Sequence, residues 1–190
     1  MSAPAGKYAR YELERRFLAR RLPSEVAADE GWQIVDRYIV GTHLRLRRAD
    51  SLGSREVIYK LGQKQVVSPP DFATMTMTSI YLSAGEYKLL MALPARELVK
   101  RRYALLEDGR TFSVDAFAGS LAGLVLAEVG FATRAEMEPS WPLPAWLARE
   151  VSDDVRFTGG ALAQLSAEEA QALLSDAARR RQRAAHRVRS

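Results

Sequence analysis

Near the start of the chain, Glu12, Glu14 and Arg16 alternate with Leu13, Arg15 and Phe17. In a β-strand, side chains at i, i+2 and i+4 share one face. This spacing would therefore stand two carboxylates and a guanidinium in a row. Burying such charge is costly unless it is paired or bound to metal. A strand that turns the row inward needs a counter-charge opposite it. The same residues are also good helix formers, so a solvated helix reads equally well from this stretch alone.

Later segments repeat the arrangement. Arg45 and Arg47 oppose Leu44 and Leu46, and Lys60 is in phase with Ile58. Lys100 and Arg102 share a phase, Asp115 lies within Thr111 to Phe117, and Glu128 follows Leu126 by two. Small barrels usually fill their interiors with apolar side chains, so a lining of both charge signs must hold water and ions.

The elements that would carry these residues are short and β-rich. Gln33 to Val40, His43 to Arg48, Glu56 to Leu61, Met75 to Leu82, Glu97 to Leu106 and Leu124 to Phe131 read as strands. Glu107-Asp108-Gly109-Arg110 is a hairpin signal. Gly62 to Asp71 reads as a loop. Ser83-Ala84-Gly85-Glu86 is a capping box opening a short helix to Leu93, and Ser166 to Glu169 caps a final helix. Leu22-Pro23-Ser24-Glu25 reads as another helix start, and Thr133 to Glu138 as a helical turn. Pro139, Pro142 and Pro144 keep the chain extended around Trp141 and Trp146, which are expected to pack over the sheet. About eight short strands closed by tight turns predict an antiparallel sheet or barrel.

Composition bounds the function. A length of 190 residues suits one domain with a tail. The absence of cysteine excludes disulfides, thiolate metal sites and cysteine nucleophiles, and fits a reducing cytoplasm. No apolar run approaches the roughly 18 residues of a membrane span. Residues 1–9 read as a disordered lead-in without a signal peptide. The net charge of +5 comes from Arg179, Arg180, Arg181, Arg183, Arg187 and Arg189; without these six the rest is −1. Basicity is thus a property of the tail, read as a solvated or frayed helix end, and nucleic acid is not an expected partner of the main domain.

Seven pieces in order resemble the CYTH superfamily of triphosphate tunnel metalloenzymes: Glu-x-Glu-x-basic, Arg-Leu-Arg, a lone strand lysine, Lys-x-Arg-Tyr, Val-Asp-x-Phe-x-Gly, Ala-Glu-Val and the late Asp154-Val155-Arg156-Phe157. The likeness covers roughly Tyr8 to Leu165. It implies an α+β, mainly β fold: an eight-stranded antiparallel tunnel barrel with flanking helices. Residues 1–165 would be the tunnel domain and 166–190 a C-terminal helix with the arginine-rich tail. By the same resemblance, Arg16, Arg45, Arg47, Lys60, Lys100, Arg102 and Arg156 would hold a triphosphate. Glu12, Glu14 and Glu128 would hold Mg²⁺ or Mn²⁺, and Glu12, Glu14 and Arg16 would be catalytic. Asp115 would ligate or brace a tunnel arginine. Guanidinium groups suit phosphate oxygens and carboxylates suit hard cations.

The implied function is metal-dependent hydrolysis of a triphosphate, with inorganic triphosphate ahead of nucleoside or thiamine triphosphate. A catalytically weak polyphosphate- or nucleotide-binding module is the alternative, and adenylate cyclase ranks third. The resemblance also leaves a cytoplasmic homodimer open. The chain departs from the family at several points. Arg16 replaces the usual lysine, Met77 and Ser79 stand where acids are usual, Gly130 replaces an acid after Glu128, and Gly159 replaces an asparagine. These losses thin the metal site and leave the basic clamp whole.

Overall fold

A computed structural model describes residues 9–27, 29–68, 71–137 and 141–186, without the side chains of 66–68, 71–72 and 183–186. Most of the lead-in, Pro139, Arg187 and Arg189 lie outside the described residues.

The strands are β1 (Arg10–Ala19), β2 (Trp32–Ile39), β3 (Leu44–Ser51), β4 (Val57–Ser68), β5 (Asp71–Leu82), β6 (Ala95–Glu107), β7 (Arg110–Phe117), β8 (Val125–Phe131) and β9 (Leu147–Glu150). All ladders are antiparallel, in the order β5-β4-β3-β2-β6-β7-β8-β1-β9. β1 also pairs with β5, which closes eight strands into a barrel and leaves β9 outside. The helices are α1 (Ala84–Leu90), α2 (Arg134–Met137), α3 (Gly159–Leu162) and α4 (Ala167–His186).

Local chemistry accounts for most of these boundaries. The β6–β7 turn holds Asp108 at φ 49° and Gly109 at φ 72°, the left-handed pair that a two-residue hairpin needs. Ser83 and Glu86 form the reciprocal capping box of α1, and Ser166 with Glu169 does the same for α4.

Two expectations need correction. Leu22 to Val26 forms a turn, not a helix, because Leu22 and Val26 pack against the outer apolar cluster. Gly62 to Ser68 is strand, not loop: Gly62, Gln63 and Lys64 pair with Ser79, Thr78 and Met77 of β5. Polar residues can hold a strand when a neighbour supplies the whole ladder.

Alternation along β1 separates two environments. Phe17 faces outward into a cluster with Phe112, Val114, Ala127 and Val129, covered by β9, Trp141 and Trp146. Arg15 lies 5.3 Å from both the Phe17 and Trp141 rings, and donates to Glu150 at 3.0 and 2.6 Å. Leu18 faces inward and joins Leu98, Phe117 and Leu126 in a second cluster. Phe157, Leu162 of α3, and Ala170, Leu173 and Ala177 of α4 complete it. The barrel interior is therefore apolar toward the helices and charged along the rest of the same inward-facing rows.

Candidate active site

Nine charged side chains line one cavity of about 380 Å³: Glu12, Glu14, Arg16, Arg45, Arg47, Lys64, Lys100, Arg102 and Glu128. Strand register brings them together. Arg16 is opposite Glu128, Glu14 opposite Gly130, and Arg102 opposite Asp115. Residues directly opposite in an antiparallel ladder point to the same face.

Arg16 is the most enclosed of the lining cations, 4% exposed. Its Nε donates to Glu128 at 3.0 Å and its Nη2 to Glu14 at 2.7 Å. Its Nη1 is buried and bonds nothing among the described residues. Burial disfavours this charge, yet Glu128 and Glu14 outweigh it and raise the Arg16 pKa above the ordinary value. Glu128 is likewise penalised by burial. Arg16, Arg102 and Lys100 overcome that penalty and hold it well below the usual carboxylate range.

Behind the lining stand two further carboxylates. Asp36 is fully buried and accepts from Arg47 at 2.6 and 2.7 Å. Burial would raise its pKa, but Arg45 and Arg47 hold it well below the ordinary range. Asp115, 2% exposed, accepts from Arg102 at 2.6 Å on each oxygen and from Lys100 at 2.6 Å. Burial and the neighbouring Arg102 lower the Lys100 pKa against the pull of Asp115. These carboxylates hold three of the cations that line the cavity, Arg47, Lys100 and Arg102.

Arg45 is held by the Tyr38 hydroxyl and by a longer contact to Asp36. Its Nε lies 3.6 Å from Asp36, beyond ordinary hydrogen-bond length. Tyr38 adjoins it, and burial together with Asp36 keeps that phenol in its neutral form. Lys64 bridges Glu12 and Glu14, with 3.0 Å to each.

Similarity to known proteins follows the geometry. No family model matches the chain. An inorganic triphosphatase of Nitrosomonas europaea is 29% identical over 158 residues, spanning 80% of this chain and 96% of that protein. The crystal structure of the hypothetical protein NE1496 superposes with a TM-score of 0.55 at 28% identity, covering 81% of this chain and 98% of that one. That of the inorganic triphosphatase NE1496 gives 0.54 at 27% identity, covering 82% and 95%. The fold is of the CYTH type.

Within this CYTH-type barrel the expected site residues are not all assembled. Glu12, Glu14, Arg16, Arg45, Arg47, Lys100, Arg102 and Glu128 converge on the cavity, with Asp115 behind them. Lys60 does not reach it. Its ammonium lies 4.6 Å over the exposed Tyr81 ring. Arg156 does not reach it either, although its neighbours Val155 and Thr158 do. It is about half exposed and is bonded to Asp154 at 2.6 Å and Asp176 at 3.3 Å. Sequence reasoning missed Lys64, Asp36 and Tyr38. A signal existed for each: Lys64 continues the phase of Lys60 and Gly62, and Asp36 with Tyr38 continues that of Ile34. His43 lines the cavity from an exposed position, and Met75 and Met77 occupy the wall beside Glu12 and Lys64.

The donor set for a metal can be judged from its bonding. Among the described residues no group of three acidic or imidazole side chains is arranged to hold an ion. Both Glu128 oxygens accept from guanidinium groups, at 3.0 and 2.8 Å. Glu12 and Glu14 each keep one oxygen that bonds nothing among the described residues. Two adjacent carboxylates facing a wet cavity fit a hard divalent cation completed by water.

Proposed function

We propose that this chain hydrolyses inorganic triphosphate in the barrel cavity, with help from a divalent cation. One observation carries the reading: six cations surround a single cavity, and the buried Nη1 of one of them, Arg16, has no partner among the described residues. An unpaired buried donor on a charged group is costly, and a shift of the guanidinium toward a phosphate oxygen would satisfy it. The similarity to inorganic triphosphatases over nearly their whole length supports the same substrate and favours hydrolysis over binding alone.

A triphosphate carries about four negative charges near neutral pH, and bidentate guanidinium groups are suited to its oxygens. Arg45, Arg47, Lys100 and Arg102 would hold the chain of phosphates from one wall, and Arg16 from the floor. Asp36 and Asp115 orient these cations before substrate arrives, which reduces the ordering cost on binding. Glu12 is more exposed than Glu14, 36% against 13%, so it is the carboxylate that water reaches first. Its free oxygen would orient that water for in-line attack on the terminal phosphorus. Mg²⁺ or Mn²⁺, held by Glu12 and Glu14 with Glu128 close by, would supply Lewis-acid stabilisation of the developing phosphoryl charge.

No helix among the described residues is long and apolar enough to cross a membrane. A cytoplasmic location is part of this proposal, and light scattering would establish whether the protein is a dimer. The direct test is phosphate release from sodium triphosphate with Mg²⁺ or Mn²⁺. Release is expected to be lost in Glu12→Ala. Equal release by wild type and this variant would overturn the reading.

A further inference from the structure

The Lys64 ammonium occupies the place between Glu12 and Glu14 where a cation would sit. It is 3.0 Å from Glu12 Oε2 and 3.0 Å from Glu14 Oε1. β4 presents it across from Met77, and β1 presents Glu12 across from Met75, so two methionines flank the Lys64–Glu12 contact. No other cation contacts Glu12 among the described residues, whereas Glu14 also holds Arg16. Lys64 is about a quarter exposed and has a flexible four-carbon stem, so it can leave without unfolding the strand.

We propose that Lys64 is the resident counter-ion of the Glu12–Glu14 pair, which a divalent cation must displace, and that the freed ammonium then joins the phosphate clamp. This rests on the reading of the cavity as a triphosphate site. Lys64 brings one positive charge to two carboxylates, and Arg16 is shared between Glu14 and Glu128, so a dication competes favourably with the ammonium, but at a reduced affinity. Displacement leaves an ammonium in the cavity without a carboxylate, and a triphosphate offers it oxygens. Each ligand therefore improves the site for the other, and by linkage the gain is reciprocal. Lys64 sets how strongly the two are coupled.

Calorimetry on the full-length chain tests this with Mn²⁺ alone. Lys64→Met is expected to bind Mn²⁺ at least about tenfold more tightly than wild type, because the carboxylates lose their internal competitor. Lys64→Arg should bind it more weakly, since a guanidinium holds carboxylates more firmly. In wild type, saturating Mn²⁺ should raise the affinity for sodium triphosphate by a larger factor than in Lys64→Met. Unchanged or weaker Mn²⁺ binding by Lys64→Met would overturn the proposal. If that variant does not fold, Lys64→Arg decides, and Mn²⁺ binding as tight as wild type would count against it. Wild type that releases no phosphate while Lys64→Met still gains Mn²⁺ affinity would sink the hydrolase reading and leave the competition standing.

Discussion

Arg16 joins the charge network to the chemistry. It is the side chain that touches both Glu14 and Glu128, and its buried Nη1 has no partner among the described residues. Arg16→Ala should lower kcat/KM for triphosphate by about 100-fold or more, because a preorganised charge donor is lost. Arg16→Lys should recover part of it, since an ammonium restores charge but not the fork of donors. Steady-state phosphate release on the three proteins measures this. Asp36 acts differently, since it lies behind Arg47 rather than in the cavity. Asp36→Asn removes one member of a buried bidentate pair and should cost about 3–5 kcal/mol of stability, read by urea unfolding.

At the scale of elements, two close approaches hold the lining strands in place. Gly31 enters β2 at φ +124°, and a Cβ there would lie 2.4 Å from the Arg102 carbonyl oxygen. Gly31→Ala is therefore strained twice, by its backbone and by β6, and should lower the thermal midpoint. Gly159, at the start of α3, lies under Tyr38; a Cβ there would sit 2.1 Å from the phenol oxygen. Gly159→Ala should push Tyr38 against Arg45. Its expected signature is a raised KM for triphosphate with a smaller loss of stability than Gly31→Ala, because a ring can shift more readily than a strand.

For the molecule as a whole, the interior charges tie stability to pH. Asp36 and Glu128 have folded-state pKa values well below their ordinary ones, held there by arginines against the effect of burial. Depressed carboxylates stabilise the fold above the unfolded value, about 4, and that contribution disappears as pH falls toward the folded value. Urea midpoints should therefore be level above about pH 5 and fall steeply below about pH 4. Asp36→Asn should flatten part of that slope. A pH series of urea unfolding curves on both proteins checks it.

The alternation of β1, β3, β6 and β8, the Asp108-Gly109 turn and both capping boxes are local properties. Each is set by neighbours within a few residues, so the sequence alone determined them, along with the inward rows of charge. Register, closure and pairing depend on residues far apart in the chain. Only the tertiary structure could continue β4 through Gly62 and Lys64, because β5 supplies the ladder that their own propensities do not. It alone paired Asp36 with Arg47, carried Lys64 to Glu12 and Glu14, and bent Arg156 outward to Asp154 and Asp176. A charged side chain goes to the partner that the fold brings within reach, and its position in the sequence does not say which partner that is.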